Sequence, residues 1–172
     1  MTHDGLETER LSLRRFTLED VPALYELGSR PEIIRYVGNR PIASLAAARE
    51  NLIANPLRDY AVHGFGRLAC VWKASGAVIG FCGVKHLDEF GENELGYRFL
   101  PEYWGRGLAT EAGRAVIGHA RSVLGLRRLV SLIHPDNHAS KNVARKCGFR
   151  HEKNVVESSD PGVSLELYAG AL

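Results

Sequence analysis

The chain has 172 residues, a formal net charge of +2 at pH 7, 45% hydrophobic residues and 24% charged residues, values that suit one globular domain over 1–172, ordered over about 8–170, with no room for a second. The charge is too small to imply nucleic acid or a membrane surface, and no apolar run reaches the roughly 18–20 residues that span a bilayer. The opening Met1-Thr2-His3-Asp4-Gly5 lacks the basic and apolar regions of an export signal, so a cytoplasmic protein is expected.

Leu11-Ser12-Leu13-Arg14-Arg15 alternates apolar and polar residues and predicts a half-buried strand. Thr17-Leu18-Glu19-Asp20 has the form of a capping box, and Val21, Leu24, Tyr25 and Leu27 follow at helical spacing up to Gly28. Pro31 and Pro41 bracket an irregular segment. Ser44 then caps a second helix carrying Leu45, Ala48, Leu52 and Ile53 on one face, expected to end near Asn55-Pro56 because proline disfavours helix before it. Residues 66–73 and 78–87 read as two strands of a hairpin, and 94–100 as a further strand. A long helix is expected from Leu108 to about Val123, a strand over 128–133, a short helix over 138–147 stopped by Gly148, and strands around 149–156 and 163–169. The three cysteines, Cys70, Cys82 and Cys147, fall in apolar runs without metal spacing, which predicts reduced, buried thiols. The order is that of an α+β fold on one mixed central sheet of six to seven strands flanked by about four helices.

The most informative stretch is the corner where the 94–100 strand meets the long helix, Phe99-Leu100-Pro101-Glu102-Tyr103-Trp104-Gly105-Arg106-Gly107-Leu108-Ala109-Thr110-Glu111-Ala112. Alternate glycines let another molecule approach the backbone, the first N–H groups of a helix lack partners, and the peptide dipoles add positive potential. Together these suit a pyrophosphate. A plain strand-to-helix turn is the alternative. The Gly-Lys-Ser/Thr ending of a nucleotide-triphosphate loop and the third glycine of a dinucleotide fingerprint are both absent. A second stretch, Asp136-Asn137-His138-Ala139-Ser140-Lys141-Asn142-Val143-Ala144-Arg145-Lys146-Cys147-Gly148-Phe149, offers Asn137 as an N-cap and Gly148 as a stop. Helix punctuation alone would account for it.

Both stretches resemble the GNAT superfamily of acyl-CoA N-acyltransferases. Trp104-Gly105-Arg106-Gly107-Leu108-Ala109 is similar to the superfamily's coenzyme A loop, with Trp104 where glutamine or arginine is commoner. Read with its flanks, it looks like the ribosomal-protein N-acetyltransferase (RimJ/RimL-type) branch. The resemblance implies the GNAT fold and acetyl-CoA as co-substrate. It makes Trp104, Gly105, Arg106, Gly107, Leu108, Ala109 and Thr110 the coenzyme-binding loop, with the pyrophosphate on backbone amides from about Gly105 to Thr110 and the pantetheine arm along the strand edge at Phe99 and Leu100. By the same resemblance Asn137 contacts the pantetheine arm or its bound water, and Asn142 and Arg145 lie toward the adenosine and phosphate end. Many members carry a tyrosine four residues after the serine as the acid for the leaving thiolate. Ala144 stands there in this chain, and Ser140 is the alternative donor.

The chemistry favours an N-terminal amine. At pH 7 about a tenth of an α-amine is neutral, against well under a thousandth of a lysine amine. Glu94, at the start of the central strand, is the expected general base, because burial there could raise its pKa. A solvated glutamate in the Glu92-Asn93-Glu94 turn is the alternative, with His86 as the runner-up base and His134 read as turn structure. No covalent acyl-enzyme and no metal site are expected. The acceptor side is expected from the first two helices and the 60–65 loop, with Arg35, Tyr36, Trp72 and Arg98 within reach. Three functions follow: acetylation of a protein N-terminal amine; acetylation of a small amine (aminoglycoside, polyamine or amino acid), for which Asp88, Glu89, Glu92 and Glu94 could form an acidic cleft; or an acyl-CoA-binding sensor without turnover. A monomer or homodimer is expected, with no nucleic-acid or membrane partner.

Overall fold

A computed structural model describes residues 5–38 and 40–172; the segment 1–4, read above for an export signal, lies outside them. Eight strands form one sheet in the order β1-β2-β3-β4-β5-β6-β8-β7. They are β1 (Leu6–Glu7), β2 (Leu11–Arg15), β3 (Arg67–Trp72), β4 (Ala77–Leu87), β5 (Glu92–Phe99), β6 (Arg128–Ile133), β7 (Arg150–Val156) and β8 (Ser164–Ala171). The sequence reading of six to seven strands misses the two-residue β1, too short to show a period. Every neighbouring pair is antiparallel except β5 and β6, which are parallel.

The helices are α1 (Val21–Ser29), α2 (Pro31–Ile34), α3 (Leu45–Leu52), α4 (Arg58–His63), α5 (Leu108–Ser122) and α6 (His138–Lys146). The stop expected at Asn55-Pro56 is wrong. A π turn over Ile53–Leu57 joins α3 to α4 with Pro56 inside it. There the Arg58 N–H reaches the Ile53 carbonyl, five residues back. The wider turn accepts a residue that has no N–H to donate. Part of the segment read as irregular after Pro31 is the short helix α2, with proline in its first turn.

The sheet is covered on both faces. Against α5 pack Leu11, Leu13, Ile79, Leu95, Phe99 and Leu129, all buried; the other face gathers Phe16, Leu24, Leu27, Leu52, Ala69 and Phe81 from α1, α3 and the strands. Cys70 and Cys82 are fully buried, and burial pushes both thiols up. Among the described residues no helix is long and apolar enough to cross a membrane.

Glu111, in the first turn of α5, ties that helix to the β1–β2 hairpin. One carboxylate oxygen accepts from the Thr8 hydroxyl at 2.7 Å and the Arg10 N–H at 2.9 Å, and the other meets the Arg10 guanidinium at 2.7 and 2.8 Å. Burial acts to raise the Glu111 carboxyl, but these donors together hold it below its ordinary value. A carboxylate so depressed contributes stability at neutral pH that fades as pH falls through its folded-state titration. Glu111→Gln should therefore cost about 1–3 kcal/mol at pH 7. The gap between parent and variant in chemical denaturation should narrow toward acid pH.

Candidate active site

Parallel β5 and β6 share a single registered pair, Glu94 with Val130, and then part. The alternation of a strand shows which backbone groups face the gap. Leu100 N–H bonds to Ile79 O on β4, whereas Leu95 O accepts from the Ser131 hydroxyl on the β6 side at 2.8 Å. Leu95, Tyr97 and Phe99 therefore turn their backbone groups toward β6, and Leu100 does not. The Phe99 carbonyl is taken by the Trp104 indole N–H at 2.8 Å. Of the two positions expected to present the strand edge, Phe99 lies on it, while the Leu100 amide is engaged with β4.

The corner beyond β5 is open. After a 3-10 turn at Pro101–Tyr103 the chain passes through Gly105 (φ 72°) and Gly107 (φ 77°), a left-handed conformation that side chains with a Cβ disfavour. A Cβ at Gly105 would meet nothing within 4 Å, and one at Gly107 only an Arg10 nitrogen at 3.8 Å. The first N–H to close a turn of α5 is that of Glu111, onto Gly107 O. The amides of 105–110 have no backbone partner among the described residues, and no side chain caps the helix. Trp104, Gly105, Arg106 and Gly107 are exposed; Leu108 and Thr110 are buried and Ala109 is half-buried. An unsealed array of unpaired amides at the start of a 15-residue helix fits an anion such as a diphosphate. Trp104 closes the strand side of this corner, and the Arg106 guanidinium lies over the Tyr103 ring at 5.3 Å.

At the parting of the strands lies a cavity of about 110 Å³, lined in part by Tyr36, Arg67, Glu94, Arg98, His134 and Ser140. The Glu94 side chain is only 14% exposed, so it is not a solvated turn residue. Its carboxylate meets Arg67 at 3.3 Å and accepts the Leu132 N–H at 3.4 Å. Tyr97, which the sequence reading passed over as a site residue, sits three residues further along. Its hydroxyl donates to Ser140 O at 2.8 Å and accepts from the Ser140 hydroxyl at 3.0 Å. Burial, foremost, pushes the phenol well up, so it keeps its proton at neutral pH. Its signal in the sequence was its place in Glu94-Leu95-Gly96-Tyr97, where period-two alternation sends Glu94 and Tyr97 to opposite faces. Their convergence needs the strand gap, which no local pattern shows.

Asn137 caps α6, its side chain accepting the Ser140 N–H at 3.1 Å. Asn142 and Arg145 are exposed; Arg145 bonds to Asn142 and to the Tyr168 hydroxyl of β8, both at 3.3 Å. These contacts tie the Arg145 guanidinium to β8. His134 lines the cavity against the Tyr36 ring at 5.3 Å, and its Nδ1 accepts the Asp136 N–H at 3.1 Å. That bond leaves Nε2 as the protonated nitrogen of the neutral ring, a donor and not a base. His86 meets Asn93 Oδ1 through Nδ1 at 2.9 Å, its Nε2 lies 3.7 Å from an Asp88 oxygen, and it does not line the cavity. Arg35 lies over Tyr36. Trp72 packs on Tyr103 in the core, and Tyr60 bonds to the backbone of Phe16 and Arg67, so neither reaches the cavity. The acidic run does not form one cleft: Glu92 pairs with Arg128 at 3.0 Å, Glu89 accepts from Ser158 at 2.9 Å, and the Asp88 side chain is 81% exposed.

A family model described as the acetyltransferase (GNAT) domain matches residues 10–150. An uncharacterized N-acetyltransferase p20 from Bacillus licheniformis is 32% identical over 87% of this chain and 84% of its own. The spermidine N(1)-acetyltransferase of Escherichia coli (strain K12) is 24% identical over 85% of this chain and 76% of its own. The crystal structure of an acetyltransferase from Agrobacterium tumefaciens str. C58 superposes with a TM-score of 0.82 at 31% identity, covering 96% of this chain and 93% of that one.

The Asn137 side chain is committed to its cap, which predicts that Asn137→Ala will cost about 1 kcal/mol of stability. Urea denaturation of the two proteins checks this.

Proposed function

This chain belongs to the GNAT acetyltransferase family and is an acyl-CoA-dependent N-acetyltransferase, and we propose that within it the 1–172 domain acetylates primary α-amines, a protein N-terminus foremost. The observation that carries the acceptor reading is the charge of the cavity. Arg67 and Arg98 line it against one carboxylate, Glu94. The spermidine N(1)-acetyltransferase relative acts, by its name, on a polyamine. A polyamine brings further positive charges, which two half-buried guanidinium groups would repel. An α-amine on a peptide adds no second cation. Its lower pKa also supplies more of the neutral nucleophile, about a hundredfold more than a lysine amine or better. The RimJ/RimL-like form of the glycine corner points the same way. A small amine without further positive charge is the alternative acceptor.

When bound, acetyl-CoA supplies the electrophilic thioester carbonyl. The amides of residues 105–110 are suited to hold its diphosphate, and the gap-facing backbone of Tyr97 and Phe99 to pair with its pantetheine arm. Glu94 takes a proton from the bound ammonium before the neutral amine attacks, or from the adduct after it, through water where the carboxylate does not reach. Arg67 orients the Glu94 carboxylate. The Ser140 hydroxyl, bonded to Tyr97, returns a proton to the departing sulfur, the part that Ala144 leaves without a tyrosine. The amine nitrogen thus gains the acyl carbon as the carbon–sulfur bond breaks, and no group of the protein becomes acylated.

Acetyl-CoA at about 100 times its Kd should stabilise the fold by about 2.7 kcal/mol. Differential scanning fluorimetry reads this as a rise of several degrees in Tm, and no shift at saturation would remove the coenzyme assignment. Glu94→Gln should lower kcat by about 10²-fold or more with little change in the KM for acetyl-CoA. Unchanged turnover in a thiol-release assay would discard Glu94 as the base.

A further inference from the structure

The cavity face of the sheet holds a guanidinium, that of Arg98, with no acidic partner among the described residues, and its construction is specific. Arg67, Gly83 and Gly96 stand side by side across β3, β4 and β5, and Ala69, Phe81 and Arg98 form the next row. A Cβ on Gly96 would stand 3.0 Å from Arg67 Nε and 3.1 Å from a terminal nitrogen. The glycine therefore leaves the space in which the guanidinium lies. Arg67 and Arg98 both lie over the Phe81 ring, at 5.1 and 5.3 Å from its centroid. Two guanidinium groups are thus held on one aromatic ring, close enough to repel each other.

Their partners are too few. Arg67 has Glu94 at 3.3 Å, but its Nε is buried with no hydrogen-bond partner. Arg98 donates one nitrogen to Leu27 O near the end of α1, at 3.1 Å. Among the described residues no carboxylate lies within salt-bridge range of it. Burial, then the charge of Arg67, pulls Arg98 down to about 10. Lys85, registered opposite Glu94 on the same face, adds a third cation, itself pulled down by burial and then by Arg67. Against these stand Glu94, the buried Asp59, whose charge acts on Lys85, and the half-buried Glu157, which burial and then Glu94 push up; none of them pairs with Arg98. A desolvated cation without a counter-ion is costly, and an orphaned guanidinium N–H more so.

We infer that the acceptor carries a carboxylate close to its reacting amine, and that Arg67 and Arg98 bind this carboxylate while Glu94 faces the amine. The inference rests on the acetyltransferase reading of the cavity and narrows its acceptor to amino-carboxylates. The guanidinium fork matches a carboxylate in two parallel bonds, and Arg98, which lines the cavity and gives one nitrogen to Leu27 O, has no carboxylate on the rest of its fork. The same chemistry occurs in a free amino acid and in a peptide whose first residues are acidic.

The test measures kcat/KM by thiol release, at saturating acetyl-CoA, for four acceptors. These are free α-amino acids, the matching amino-acid amides, short peptides with an acidic or a neutral side chain in the first two positions, and spermidine. The amide keeps the amine and removes the negative charge, which also lowers the amine's pKa, so rates are compared per neutral amine. Carboxylate acceptors should exceed their amide counterparts by tenfold or more. Arg98→Gln, which keeps a donor for Leu27 O, should abolish that preference by raising the KM for the carboxylate acceptor. The KM for acetyl-CoA and the turnover of the amide should hold. Arg67→Gln gives a second reading at the other guanidinium. Calorimetric titration of a free amino acid into the protein saturated with coenzyme A gives a readout independent of turnover and should show binding that Arg98→Gln loses.

Preference for the free acid over the acidic peptide assigns a small-molecule source, and the reverse a protein terminus. Equal rates for acid and amide, preference for spermidine, or a carboxylate preference that survives in both variants would overturn the inference while leaving the acetyltransferase reading intact. Absence of acetyl-CoA binding would instead sink that reading.

Discussion

The structure depends on one break in hydrogen bonding, the parting of two parallel strands after a single registered pair. A sheet that zips closed leaves no cleft, and one that simply frays leaves buried backbone groups unsatisfied. Here side chains take over the ladder's work at the parting. Glu94 accepts the Leu132 N–H, and the Ser131 hydroxyl donates to the Leu95 carbonyl. Tyr97 and Ser140 then exchange hydrogen bonds across the gap. The opening is therefore a satisfied structure, stable without a ligand, and its gap-facing amides remain at the surface of a cleft.

That break organises two chemistries on opposite faces. Toward α5 and α6 the strand leads into the glycine corner, where unpaired amides and the helix dipole accept negative charge. Toward α1 and α3 it presents Glu94 beside arginine. The gap is where the two meet, with the Glu94 carboxylate on one side and the Tyr97–Ser140 hydroxyl pair on the other. Glu111 holds the corner in place by anchoring α5 to the β1–β2 hairpin, and Tyr60 steadies the acceptor side by bonding the backbone of Arg67. Neither residue is placed to touch a substrate.

Glycine serves the two halves differently. At Gly105 and Gly107 it permits a left-handed backbone and leaves space for a ligand. At Gly96 it leaves room for a side chain of the protein itself, the Arg67 guanidinium. The sequence shows the first use, because alternate glycines before a helix form a local pattern. It hides the second, because Arg67 lies 27 residues from Glu94 and reaches it only through the register of β3, β4 and β5.

Local pattern alone was enough for the elements that repeat with a period, such as α5, β2 and the 67–87 hairpin, and for the open corner at Gly105 and Gly107. It was also enough to mark the capping asparagine at the start of its helix; it set Glu94 at the start of a strand, whereas β5 begins at Glu92 and Glu94 is its third residue. It failed where neighbours in the chain part company or strangers meet. The π turn around Pro56 overrode proline's usual effect, and the acidic run from Asp88 to Glu94 dispersed because β6 sets Arg128 beside Glu92 and Ser158 reaches Glu89. Tyr97 met Ser140 across a gap whose existence depends on where β6 stops pairing. Backbone geometry is decided within a few residues, so the chain spells it out. The company a charged side chain keeps is decided by strand register over tens of residues, and only the folded sheet specifies it.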